Sequence, residues 1–130
     1  MQKVTATIGQ QNYKTEIKNA THTLIADEPI EVGGQDLGFA PRELLASSLA
    51  ACTSITLKMY AERKGWDLKE AIVEVTFEWS KEESKSIISR RIELKGTLNA
   101  MQKERLLVIA NSCPIHKILS NPLEIASSLS

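Results

Sequence analysis

The chain has 130 residues, 42% hydrophobic and 25% charged, enough for one globular domain over residues 1–130 with a core that needs no disulfide staples. Its 16 Lys and Arg balance 16 Asp and Glu, and no basic cluster interleaved with aromatics occurs, so composition speaks against a nucleic-acid partner. The start, MQKVTATIGQ, lacks the charged-then-apolar pattern of a signal peptide. That points to the cytoplasm, where two cysteines stay reduced and are reactive, ligating or simply buried.

Val4, Ala6 and Ile8 alternate with polar residues, the period of a half-buried strand. Gly9 to Asn12 reads as a turn, and Tyr13, Thr15 and Ile17 continue the alternation in a second strand. Thr21 to Ala26 makes a third. Asp27 to Ala40, with one Pro and three Gly, is a long loop in which Asp27 and Glu28 fix a turn before Pro29. Pro41 suits the first turn of a helix and Gly65 its end. Between them, Leu44 to Leu57 holds no charged residue. The run is shorter than the roughly 20 apolar residues of a bilayer span, so no membrane is expected, and a helix apolar nearly all round is a buried one.

After a short connection, Trp66 to Glu70, the row Val73, Val75, Phe77 and Trp79 predicts the clearest strand. Lys81 to Ser86 is a solvated turn. A long strand follows, with Ile88, Ile92, Leu94 and Leu98 on one face and Arg90 as the one polar residue in that row. Asn99 suits the N-cap of a helix reaching Asn111, and Pro114 opens a short helix after it. Leu123 to Ser130 is a weak strand candidate. Strands segregated from helices argue an α+β fold with antiparallel sheets. One three-stranded sheet covers only part of so apolar a helix, and a dimer interface would cover the rest.

Two residues carry candidate chemistry. Cys52 lies mid-helix between small neighbours, where it reads either as a small hydrophobe or as a thiol that a substrate can approach. Cys113 precedes Pro114 at a helix start, where backbone N–H groups stabilise a thiolate, with His116 three residues on. Cys113 and His116 have half of a metal site's spacing with nothing to complete it, so no metal is expected. Gly33-Gly34 fits no phosphate-binding motif. Residue chemistry alone leads to an α+β domain with two candidate redox cysteines.

The stretches ADEPIEVGG, GFAPRELLASSLAACTSITLKMYAERKG and NSCPIHKIL resemble the OsmC/Ohr family of osmotically inducible and organic-hydroperoxide-resistance proteins, from Tyr13 to Leu119. The resemblance implies an OsmC-like fold, an intertwined homodimer with antiparallel sheets packed on a long buried central helix. It implies a thiol peroxidase for organic hydroperoxides, with Cys52 peroxidatic and Cys113 resolving, an external dithiol of lipoyl type as reductant, and no cofactor. Leu49, Ala50 and Ala51 would line an apolar substrate pocket. The family's peroxidases place Glu directly after the helix-opening Pro, paired with an Arg from the N-terminal strands. Here Arg42 follows Pro41, Glu43 comes one position later, and no Arg precedes residue 42. Arg42 is then the candidate cation for Cys52 and Glu43 the displaced acid. Two other readings stand beside the peroxidase: a dimeric binder of a small hydrophobic ligand with inert cysteines, and a redox sensor.

Overall fold

The computed structural model describes all 130 residues as an α+β fold with two antiparallel sheets, in two compact units, residues 1–45 and 46–130. In the first unit, strands β1 (Thr5–Ile8), β2 (Thr15–Lys18) and β3 (Thr23–Ala26) form an antiparallel meander, with Ala6 opposite Ile17 and Ile17 opposite Leu24. The loop that follows is organised by one carboxylate. Asp27 is buried, and its two oxygens accept from the amides of Tyr13 (3.2 Å), Glu28 (2.7 Å), Gln35 (3.2 Å) and Leu37 (3.1 Å). A loop rich in Gly and Pro cannot pair its own amides as a strand does, and the acid satisfies three of them besides that of Tyr13. The turn expected at Asp27 thus extends through ten residues.

Helix α1 runs Pro41–Lys64 and closes at Gly65, whose φ of 70° is the left-handed conformation that glycine adopts without a Cβ clash. In the second unit it presents Leu49, Thr53, Leu57, Tyr60 and Ala61 to the interior. Spacings of three and four put these on one side of a helix. Strands β4 (Asp67–Ser80) and β5 (Lys85–Thr97) form a long hairpin, paired from Asp67 with Thr97 to Ser80 with Lys85. Their half-buried residues Ala71, Ile92 and Leu94 pack on a core of Leu57, Tyr60, Ala61, Leu68, Leu106 and Ala110. Helix α2 (Ala100–Ile109) adds Leu106 and begins with a reciprocal cap: Asn99 Oδ1 accepts from the Gln102 amide and Gln102 Oε1 from the Asn99 amide. A 3-10 turn, Ala110–Ser112, leads to helix α3 (Pro114–Leu119).

Three expectations change. The connection after α1 is shorter than expected, because β4 starts at Asp67, whose carboxylate accepts from the Thr97 amide and anchors the far end of the hairpin. Leu123 to Ser130 forms no strand, having no pairing partner, and its apolar residues are exposed. Helix α1 is not buried all round between Leu44 and Leu57 within this chain: Ile55 is 54% exposed, on the side away from Leu57. By length and a mean hydropathy of 1.2 it reaches the range of a membrane-spanning helix, yet its inward side is that of a core helix, with Leu57 and Ala61 fully buried.

Two stability predictions follow from this packing. Leu106 is fully buried, so Leu106→Ala should cost about 3 kcal/mol in urea denaturation. Burial raises the Asp27 pKa, but its four amide bonds outweigh that and hold it below the ordinary carboxylate range. A carboxylate with a depressed folded pKa stabilises above its unfolded pKa of about 4, and this is lost as pH falls through the folded value. Asp27→Asn should therefore lower the melting temperature at pH 7 and make the decline below pH 4 shallower than in the native chain. Equal acid limbs in the two proteins would contradict this.

Candidate functional site

The site forms where α1, β5 and the 3-10 turn meet in the second unit. Alternation along β5 directs Arg90 inward with Ile88 and Ile92, opposite Val75 of β4. There its guanidinium makes three hydrogen bonds. Nη1 donates to Thr53 Oγ1 at 3.0 Å and to the Ala110 carbonyl at 3.1 Å, and Nη2 donates to Asn111 Oδ1 at 2.9 Å. Thr53 is fully buried and donates its hydroxyl to the Leu49 carbonyl at 2.7 Å, leaving oxygen lone pairs for Arg90. Thr53 directly follows Cys52, while Ala110 and Asn111 shortly precede Cys113. One side chain thus ties together the two segments that carry the cysteines, residues 53 and 110–111.

Both cysteines are free thiols; Cys52 is half-buried and Cys113 fully buried. The two thiols lie close enough to influence each other's ionisation. Cys113 caps α3, its Sγ accepting from the His116 amide at 3.5 Å, with Pro114 at the first helical position. Burial raises the Cys113 pKa, but bonds from the Cys52 thiol, the His116 and Ile115 amides and the Thr53 hydroxyl more than offset it and draw the pKa down. The Cys52 pKa is raised, first by burial and then by its bond to Cys113 and the charge there, against smaller opposing bonds from Ile115 and Thr56. The surroundings thus favour ionisation of Cys113 over that of Cys52.

Beside the pair, α1, β5 and α3 enclose a cavity of about 250 Å³ whose wall includes Leu49, Ile88, Arg90 and His116. Leu49 of the expected pocket thus lines a cavity; Ala50 and Ala51 are not part of its wall, and Ala51 is exposed. Arg42 is exposed and stands ten residues before Cys52 on α1, about 15 Å along the axis at 1.5 Å per residue. Glu43 accepts from the Ala40 amide at 2.9 Å and so serves the helix start. No group of three or more His, Cys, Asp or Glu side chains is arranged to hold a metal ion. The residue that sequence reasoning did not assign to the site is Arg90. Its signal was the polar break in an otherwise apolar row.

Removing the Thr53 hydroxyl tests this electrostatic reading. Thr53→Val in a Cys52→Ser background should reduce the thiolate fraction of Cys113 near neutral pH about fivefold, the worth of one hydrogen bond of roughly 1 kcal/mol. Thiolate absorbance against pH checks it, with a rise in midpoint expected and no shift contradicting it.

A family model described as OsmC-like protein matches residues 33–128. Among solved structures, an OsmC-like protein from Mycoplasma pneumoniae superposes with a TM-score of 0.78 at 21% identity, covering 92% of this chain and 87% of that one. An organic hydroperoxide resistance protein OsmC from Legionella pneumophila gives 0.65 at 23% identity, over 92% and 88%. The organic hydroperoxide resistance protein OhrB of Bacillus subtilis gives 0.62 at 21%, over 91% and 89%. No curated protein matches the chain. At these identities the solved structures speak for the fold, and the family model covers most of the chain. On both grounds this chain belongs to the OsmC-like protein family.

Proposed function

We propose that the protein is a thiol peroxidase that reduces organic hydroperoxides through Cys52 and Cys113. The observation that carries this reading is the close pair of free thiols, one sulfur accessible and one enclosed. The organic hydroperoxide resistance proteins of the same fold agree with it.

The sulfur pair supports a sequence of steps. It reacts once it has lost one proton. With the remaining proton on Cys113, the thiolate is on Cys52, the more accessible sulfur. Cys52 sulfur attacks the terminal oxygen of the hydroperoxide, the O–O bond breaks, and Cys52 becomes a sulfenic acid. The departing alkoxide takes the proton now on Cys113 and leaves as the alcohol. Cys113, now a thiolate, attacks the Cys52 sulfur and expels hydroxide, which a solvent proton converts to water. The resulting disulfide is reduced by an external dithiol, whose two thiols become its own disulfide. Arg90 takes no proton at any step. It holds the Cys52 and Cys113 segments at bonding distance while the sulfurs change charge.

The whole chain, in this reading, acts as one domain in the cytoplasm, as a homodimer. Exposed Ile55 and Met59 on α1 support the dimer, since a second copy would give that side the cover this chain does not. A monomer in light scattering at micromolar concentration would refute it.

The decisive experiment is titration of reduced protein with cumene hydroperoxide, followed by intact mass and thiol counting. One equivalent should remove both thiols and two mass units. Cys113→Ser should stop at a trappable sulfenic acid, and Cys52→Ser should consume no peroxide. Survival of both thiols in large excess would defeat the peroxidase reading in favour of a binding protein.

A further inference from the structure

The cavity beside the cysteines holds a cation with no anion. Arg90 is half-buried, and its three partners, a hydroxyl, a carbonyl and a carboxamide, are all neutral. The five ion pairs of the chain all use Lys and lie elsewhere. A guanidinium cannot shed its proton when desolvated, and no carboxylate balances its charge at the cavity wall. Three of its five N–H groups are used, which leaves two. No Asp or Glu lines the cavity. Ser120 donates its hydroxyl to the His116 carbonyl at 2.7 Å, so Ser86 and His116 are the other polar groups that remain available. The rest of the wall is apolar: Leu49, Ile88 and Leu119.

We propose that this cavity is a subsite for a small organic carboxylate, with the carboxylate at Arg90 and the carbon chain against Leu49, Ile88 and Leu119. Arg suits the role because its planar donors match a carboxylate's two oxygens. Two wall residues neighbour the cysteines: Leu49 lies one turn before Cys52 on α1, and the His116 amide bonds Cys113 Sγ. Resting on the peroxidase reading, the subsite selects hydroperoxides that carry an acid group a few carbons from the O–OH, and disfavours their esters.

Two measurements on the reduced, full-length protein separate this proposal from the peroxidase reading. Octanoate contains no peroxide, so its calorimetric binding reports the cavity alone. It should bind saturably, methyl octanoate should bind at least about tenfold more weakly, and phosphate should not compete. Ser86→Glu places a carboxylate four residues from Arg90 on the same strand face and leaves the three Arg90 bonds in place. Octanoate affinity should fall about tenfold or more in that variant. In turnover, 8-hydroperoxyoctanoic acid should exceed its methyl ester about tenfold in kcat/KM, and Ser86→Glu should erase that ratio.

Absence of octanoate binding to the folded native protein overturns the subsite, even where hydroperoxides are reduced. Phosphate displacing octanoate at equal concentration overturns it as well, in favour of an inorganic-anion site. Octanoate binding with equal kcat/KM for acid and ester overturns its role in substrate choice. Octanoate binding without reduction of any hydroperoxide supports the cavity assignment and defeats the peroxidase reading alone.

Discussion

The three hydrogen bonds of Arg90 are the constraint on which the site depends. Helix α1 and the 110–112 turn are far apart in sequence, and apolar burial between them is non-directional. Bonds to Thr53, Ala110 and Asn111 remove that freedom because each has a preferred direction as well as a distance. Thr53 is itself held, donating to Leu49 one turn back on the helix. The positions of both cysteines therefore descend from a strand residue that touches neither. The hairpin's contribution is equally mechanical. Pairing along β4 and β5 fixes the register that delivers residue 90 to this point.

Given that geometry, the division of labour between the cysteines follows from surroundings rather than residue type. Cys113 is enclosed and should resist ionisation on burial alone, but the start of α3 supplies it with amides, and Thr53 and Cys52 add donors. Cys52 has the access and lacks the donors. The Arg90 bonds hold together the two segments that carry these sulfurs.

Much of this was legible in the sequence, for identifiable reasons. Period-2 alternation located the strands, Pro41 and Gly65 bounded α1, and Asn99 marked the start of α2, because each signal depends on a few adjacent residues. The thiolate-stabilising start at Cys113-Pro114 was readable on the same terms. Arg90 stood out as a break in an apolar row, but its partners lie 37 and about 20 residues away, and no local pattern encodes that meeting. The one-sided burial of α1 was hidden for the opposite reason. Leu57 and Ile55 look alike in composition, and only packing distinguishes the fully buried from the exposed. Asp27 was read as a turn former, and the reach of its carboxylate over Gln35 and Leu37 appears only in three dimensions.

What a leucine would do at position 90 shows why the arginine matters. It would continue the row of Ile88, Ile92 and Leu94 and avoid the desolvation of a cation, and replacing buried charge by apolar packing often stabilises a fold. It would also leave the Ala110 carbonyl and the Asn111 carboxamide without the donors they now share, and make the cavity wall apolar across β5. The fold would lose its only bridge of this kind between residues 53 and 110–111. The arginine is thus a poor choice for core stability alone. It becomes a good one when the same residue must hold two cysteine-bearing segments in register and place a positive charge at the edge of a cavity.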